Sequence, residues 1–425
     1  MSENVPRRRS LVRGLVLGGL ALLLAAQNQA VAQSWTLTTL YSFCAMAQCI
    51  DGRDPRGTLI SDNAGDLYGT TASGGFNLLG TVFKIDPFGN ETVLHNFCSR
   101  FDCNDGSRPF AGLIRNAKGV LYGTARGSGS RHHSGNPGGV VFKVTSGGEK
   151  SLCNFGSVHC PTGALPMGSL IRDAEGNLYG TTSGGGTNFI TNFNCCGTVF
   201  KVSPDGEETV LYSFCSAANC RDGASPQAGL TIDPSGNFYG TTLFGGAFQA
   251  GTVFELTAGG TEKVLYSFCV AVSCANGING SHPGTGLVRD ASGNLFGTTL
   301  YGGLNDKGTV FEVTPGGVEK VLYSFCSVAA CTDGEYPQAG LILDGLGNLY
   351  GTTKSGGDNF HGTVFKVAAD GTESVLYSFC PIAGCSDGKA PRAGLLMDKS
   401  GNLFGTTSAG GVNGKGGTVF ELAPP

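Results

Sequence analysis

A seven-fold internal repeat constrains this chain more than any other feature, because self-similarity at a fixed period of tens of residues dictates architecture before local propensity is weighed. The phenylalanine closing each Leu-Tyr-Ser-Phe-like run recurs at Phe43, Phe97, Phe155, Phe214, Phe268, Phe325 and Phe379, at spacings of 54, 58, 59, 54, 57 and 54 residues. Residues 215–268 show the content of one unit. Ala228-Gly229-Leu230-Thr231-Ile232 ends at the turn Asp233-Pro234-Ser235-Gly236, and Asn237-Phe238-Tyr239-Gly240-Thr241-Thr242 then runs into a Gly-Gly loop. Gly251-Thr252-Val253-Phe254-Glu255-Leu256 precedes a second glycine turn, and residues 262–268 complete the unit. Each run is of strand length and rich in β-branched and aromatic residues, and no helical period survives.

Four strands in each of seven such units predict an all-β fold, a seven-bladed β-propeller of four-stranded blades; the coils of a β-helix are shorter. Apolar pairs such as Val253-Phe254 and Phe238-Tyr239 point to both faces of their sheet, as a blade with a neighbour on either side requires. The ends sharpen the expectation. Residues 35–43 read as a fourth-type strand with no first three before it, and the chain stops at residues 417–422, a third-type strand with no fourth after it. The N-terminal strand therefore completes the last blade, which removes the exposed edges and ties the two ends together.

Residues 1–32 read as an address rather than a structure: Arg7, Arg8, Arg9 and Arg13, an apolar stretch over 15–26, and a small-residue cleavage site at Ala30-Val31-Ala32. The mature chain is expected to begin near Gln33 and to form one propeller domain over 33–425. Arg8-Arg9-Ser10-Leu11-Val12 also fits a loose twin-arginine pattern, so both export routes stay open. The apolar stretch is short for a membrane span, nothing like it recurs, and residues 419–425 offer no anchor, so a mature chain without a span is expected. Its place is the periplasm or the cell exterior. Glycine supplies 71 of 425 residues with no Gly-X-Y period, and only 14% of residues are charged, which excludes collagen and disfavours helices. Four arginines and one glutamate leave with the leader, taking the net charge from −4 to −7, which argues against nucleic acid or an anionic membrane as partner.

The repeat is almost complete at residues 339–379, with Ala339-Gly340-Leu341-Ile342, Gly347-Asn348-Leu349-Tyr350-Gly351-Thr352-Thr353, Gly356-Gly357, Gly362-Thr363-Val364-Phe365-Lys366 and Val375-Leu376-Tyr377-Ser378-Phe379. In these residues the chain resembles the bacterial choice-of-anchor GloVer tandem-repeat proteins over essentially its whole mature length. The resemblance implies an exported propeller and no particular activity; some members carry C-terminal sorting tails, which these residues lack. The first two strands of each unit are also similar to NHL/kelch-like propellers through the Asp-x-x-Gly-Asn turn.

Six units carry a Cys-x4-Cys pair just after the fourth strand: Cys44-Cys49, Cys98-Cys103, Cys215-Cys220, Cys269-Cys274, Cys326-Cys331 and Cys380-Cys385. In an exported chain each is expected to close a small disulfide loop. Two ligands per loop are too few for zinc unless loops on different blades converge. The third unit departs, with Cys153 before its phenylalanine and Cys160 after, expected to pair with each other. Cys195-Cys196 stands in a lengthened glycine loop, with a mutual bridge, pairing elsewhere or metal binding all open.

Antiparallel strands send alternate connections to opposite faces of the ring. One face holds tight Asp-x-x-Gly and Pro-Asp-Gly turns, the other the disulfide and Gly-Gly loops, so a ligand is expected on the second. The longest insertions, residues 126–139 and 183–197, lie on adjacent units, with His132, His133 and His159 in or beside them and Cys195 and Cys196 in the second. These five are the candidate binding residues. The repeated Asp62, Asp173, Asp233, Asp290, Asp344 and Asp398 read as turn formers rather than calcium ligands, because Asx side chains bond the backbone two residues on; Asp51, Asp105, Asp222, Asp333 and Asp387 admit the same reading. No His-Glu-x-x-His, Gly-x-Ser-x-Gly, Cys-x-x-Cys-His or complete Gly-x4-Gly-Lys-Ser/Thr occurs, so no cofactor and no catalytic residue is assigned. Two function classes follow. The favoured one is a monomeric extracytoplasmic binding or scaffold module for a protein or glycan. The other is a lyase or hydrolase with a metal or acid/base site at the channel mouth near units two and three.

Overall fold

A computed structural model describes residue 1 and residues 34–100, 103–127, 138–156, 163–187, 196–269, 279–381 and 384–425. Residues 34–425 form one compact unit. It is a seven-bladed β-propeller of small antiparallel sheets. Blade 4 is typical: Thr231–Ile232, Phe238–Thr242, Thr252–Leu256 and Glu262–Ser267 pair in chain order. No helix among the described residues is long and apolar enough to cross a membrane.

The first strand is shorter than its apolar run suggests. In blade 1 it breaks into Arg53–Pro55 and Ile60–Ser61, both paired with Leu67–Ser73, and between Pro55↔Thr71 and Ile60↔Tyr68 it takes five steps to its partner's three. Blade 4 keeps only Thr231–Ile232 of the expected 228–232 strand, plus an isolated bridge Ala224↔Phe244. Proline, which cannot donate to the ladder, and close approach to the next blade cause the break. A Cβ on Gly168, for example, would lie 2.4 Å from the carbonyl carbon of Ala228 in the neighbouring blade.

Closure follows the expected register. Thr36–Ser42 runs antiparallel to Thr418–Ala423, from Thr36↔Ala423 to Ser42↔Thr418, and Phe43 donates its N–H to Gly417 O at 2.9 Å. The last blade therefore contains both ends of the described propeller.

The core lies between blades. Seven apolar clusters each draw residues from two neighbouring blades; one joins Phe43 and Val419 of blade 7 to Leu59, Leu67, Phe83 and Ile85 of blade 1. At each seam the phenylalanine after the fourth strand meets the third-strand phenylalanine of the next blade edge-on, at 4.9–5.2 Å between centroids, as in Phe43–Phe83, Phe214–Phe254 and Phe379–Phe420. Edge-to-face geometry suits the ring quadrupoles and adds about 0.5–1.5 kcal/mol beyond area burial. The third-strand ring needs room on its own sheet, which explains the glycine of Tyr-Gly-Thr: a Cβ on Gly240 would stand 2.6 Å from Phe254 Cζ.

Two further belts fix the ring, and both escaped the sequence reading. The first threonine of each Gly-Thr-Thr or Gly-Thr-Ala run donates to a backbone carbonyl of the next blade, from Thr70 Oγ1 to Ala111 O (3.0 Å) round to Thr406 Oγ1 and Pro55 O (3.5 Å), which closes the circle. The second threonine pairs within the blade with the threonine that opens the third strand, as in Thr353 and Thr363 at 2.8 Å.

Candidate functional site

The inner strand of every blade follows one pattern: a proline, one free position, two small residues and a leucine, as in Pro226-Gln227-Ala228-Gly229-Leu230. Proline, small residues and leucine are fixed by the crowded axis and the core. The free position is not, and around the ring it reads Arg56, Phe110, Met167, Gln227, Gly284, Gln338 and Arg392. All seven line one cavity of about 310 Å³, together with Leu243, His282, Thr285, Leu300 and Pro337. Units that share the proline, small residues and leucine of the inner strand therefore differ at the position they jointly turn to the cavity. That volume lies at the lower end of small-molecule sites. Because the inner strand leaves the disulfide loop and the second strand leads into the Gly-Gly loop, the cavity lies toward the loop-rich face.

The residue before each proline is held in the left-handed region: Asp54, Arg108, Leu165, Ser225, His282, Tyr336 and Ala390, with φ between 53° and 58°. A residue preceding proline ordinarily extends, and each such conformation costs on the order of 1–3 kcal/mol. What holds it is constant. Each of the seven donates its N–H to a carbonyl of the preceding blade's Gly-Gly loop region, from Asp54 to Gly416 O at 2.9 Å to Ala390 and His361 O at 2.8 Å. The rim of the cavity is thus locked blade to blade, a preorganised mouth on a rigid scaffold.

Charge is uneven round the mouth. Arg56 forks onto Asp54, with Nε to Oδ1 at 2.9 Å and Nη2 to Oδ2 at 2.8 Å. Its guanidinium also stands 4.9 Å from the Phe110 ring, with Arg126 5.8 Å from the same ring. Arg392 and Arg126 each keep a buried Nε with no hydrogen-bond partner among the described residues. Burial, then the Arg56 charge, pushes the Arg392 pKa down; burial, then Arg392 and Arg56, does the same to Lys354, on the second strand of blade 6. The opposite wall carries Met167, Leu243, Leu300 and His282. Burial lowers the pKa of His282, whose Nδ1 lies 3.1 Å from Ser281 Oγ. The described lining contains no carboxylate or thiol.

Of the five residues singled out in the sequence, Cys196 alone is described. His132, His133, His159 and Cys195 fall outside the described residues. Cys196 is buried beside the Cys215–Cys220 disulfide, its sulfur within 4.8 Å of both, and its carbonyl accepts the N–H of Ser225 at 2.8 Å. Cys44–Cys49, Cys98–Cys103, Cys215–Cys220, Cys326–Cys331 and Cys380–Cys385 are bridged; Cys153 and Cys269 are also disulfide-bonded, and Cys160 and Cys274 lie outside the described residues. The first-turn aspartates form Asx turns and also take the second-strand tyrosine: Asp62 Oδ1 accepts the N–H of Ala64 and of Asp66, and Oδ2 the hydroxyl of Tyr68. The disulfide-loop aspartates do more than turn the chain. Asp222 Oδ2 gathers the Tyr212 hydroxyl (2.8 Å) and the N–H and hydroxyl of Ser216.

Beyond the blades' own hydrogen bonds, carboxyl pairs cross three seams. Burial, and then the neighbouring Asp51, Asp222 and Asp333 respectively, raises Glu91 and Glu262 to about 7 and Glu373 to about 8. The channel residues were missed for a definable reason: their signal is variation inside a fixed frame, visible only when the seven units are stacked position by position.

Among solved structures, the chain is similar to the extracellular domain of a protein described as the one-component system BT4673 from B. thetaiotaomicron, with a TM-score of 0.54, 11% identity, and coverage of 91% of this chain and 40% of that one. This chain thus spans about two fifths of that protein's length. A puromycin-hydrolysing peptidase of Mycobacterium tuberculosis aligns over 91% of this chain and 53% of its own at 13% identity and a TM-score of 0.49. A protein described as a gluconolactonase aligns over 92% of both chains at 12% identity and a TM-score of 0.41. No curated protein matches. At these identities the likeness is one of fold. The Gloeobacter/Verrucomicrobia repeat matches three times, over residues 29–193, 101–277 and 269–425, and since these spans cover the propeller from end to end, the chain belongs to that repeat family.

Proposed function

We propose that this protein is an exported binding module whose site is the axial cavity on the loop-rich face of the ring. The observation that carries the reading is positional: the residue after the inner-strand proline takes five different types over seven blades, and in every blade it lines the same cavity. Long loops diversify on any scaffold, but these seven residues converge on one cavity, and the described lining brings no carboxylate and no second histidine to His282 for acid–base work. Export is supported by the leader pattern of residues 1–32 and by bridged cysteine loops on every seam where both cysteines are described.

The test is a thermal-shift screen of the mature protein against glycans, small acids, amines and metals, run in parallel on Gly284→Phe. Gly284 has only Leu243 Cδ1 near its missing Cβ, at 3.3 Å, so a phenyl ring there fills the cavity and leaves the scaffold intact. A ligand at a hundredfold its dissociation constant adds about 2.7 kcal/mol. A stabilising ligand that loses its effect on Gly284→Phe supports the reading. Ligands that stabilise both proteins equally place binding elsewhere.

A further inference from the structure

Resting on that reading, we infer that the cavity takes a small organic carboxylate, its charged end between Arg392 and Lys354 and its apolar body against Met167, Leu243 and Leu300. The chain as a whole is acidic, with a formal net charge of −4, yet Arg56 and Arg392 line the cavity, Arg126 faces the Phe110 ring of that lining, and Lys354 O and Pro391 Cδ lie 3.0 and 2.7 Å from the place a Cβ on Gly362 would take, which sets Lys354 beside the residue preceding Arg392. Of these Arg56 already holds Asp54 at 2.8 Å, while Arg392 and Lys354 form no ion pair among the described residues. The buried Arg392 Nε has no acceptor among the described residues, and an N–H left without one in a desolvated place is a donor open to a ligand atom. With Lys354 of blade 6 and Arg392 of blade 7 meeting at one seam, a single carboxylate is placed between them, the guanidinium fork supplying the directional bonds.

The far wall sets the rest of the ligand. Met167, Leu243 and Leu300 offer apolar surface, and the two glutamines, Gln227 and Gln338, supply neutral donors and acceptors between the charged and apolar sides. Inorganic phosphate or acetate would satisfy the cations and leave that wall bare; a neutral apolar molecule would do the reverse. A molecule carrying both features fits the whole cavity.

The experiment is calorimetric titration of the mature protein with phenylacetate, its neutral isostere phenylacetamide, and acetate, repeated on Arg392→Gln, Lys354→Met and Gly284→Phe. Arg392→Gln removes a charge that its surroundings disfavour and is expected to fold. Phenylacetate is expected to bind at least tenfold more tightly than either comparison, and Arg392→Gln and Lys354→Met each to weaken it about tenfold while leaving phenylacetamide unchanged. Equal binding of acid and amide, no binding of the acid, or full binding by Arg392→Gln overturns the carboxylate assignment. If acid and amide bind equally and Gly284→Phe removes both, the cavity stands as a binding site and only the ligand class is wrong; if phenylacetate still binds to Gly284→Phe, the cavity itself is refuted.

Discussion

Replacing Phe43 with alanine probes the seam where the two ends of the propeller meet. Phe43 is fully buried, stands 5.0 Å from Phe83 and 5.2 Å from Tyr41, and packs with Leu59, Leu67, Ile85 and Val419. Truncating a buried phenylalanine costs about 3–5 kcal/mol, the sum of lost transfer energy and the cavity left behind. For some 390 cooperatively folded residues the unfolding entropy is about 0.8 kcal/mol per degree, so the midpoint should fall by about 4–6 °C. The internal control is Phe325→Ala: the same position in blade 5, equally buried, 4.9 Å from Phe365, with unbroken chain on both sides. Scanning calorimetry on both variants should give equal shifts within about 1 °C. A full shift for Phe325→Ala with almost none for Phe43→Ala would mean that the first strand frays independently of the ring, and the closure argument would fail.

Other consequences are as direct. Thr181→Val leaves Ala228 O without the hydroxyl that reaches it at 2.7 Å between blades 3 and 4, and should cost about 1–3 kcal/mol in chemical denaturation; a loss under a few tenths would remove the threonine belt from the account. Glu91, Glu262 and Glu373 hold protons in the folded state at pH values where the unfolded chain, with carboxyls near 4.5, has released them. Their contribution is complete below that value and is lost as pH rises through 7 to 8, so the midpoint should fall between pH 5 and pH 8.5, and Glu373→Gln should raise it at pH 8.5 while changing little at pH 5. Asp105, whose burial is outweighed by His95 Nε2 at 3.2 Å and by the N–H and hydroxyl of Ser99 so that it titrates at about 2, works in the opposite sense, its contribution disappearing only in strong acid. Replacing Cys326 and Cys331 together by alanine should cost about 2 kcal/mol, the loop entropy of so short a ring, and leave the fold unchanged by circular dichroism.

Much of this architecture is written in the repeat. Seven phenylalanines at near-constant spacing, with a fourth-type strand alone at the start and a third-type strand alone at the end, are enough to infer seven blades and a shared last blade, because strand period and edge avoidance leave few other solutions. The cysteine loops were legible for the same reason, their spacing being local. What the sequence concealed is the work done between units. That Thr70 reaches Ala111 forty-one residues on, or that Asp54 bonds Gly416, cannot be read from a pattern that names both residues only as repeats of their own kind. The left-handed residues before the prolines were hidden further, since sterics predict the opposite and only the bond from the preceding blade explains them. Attention to the long insertions, with His132, His133 and Cys195, followed the rule that loops carry function. A propeller adds a second rule: residues on the inner strands converge on the axis whatever their separation in sequence, so position-by-position comparison of the repeats finds the lining of a shared cavity that a search along the chain passes over.

Hydrogen–deuterium exchange resolved along the two terminal strands tests the closed ring most directly. The amides of Thr36–Ser42 and Thr418–Ala423 bonded across their shared ladder should exchange as slowly as those between Thr363–Val367 and Glu373–Ser378 inside blade 6, and only on global unfolding. Exchange of Thr36–Ser42 within seconds, with blade 6 still protected, would contradict it.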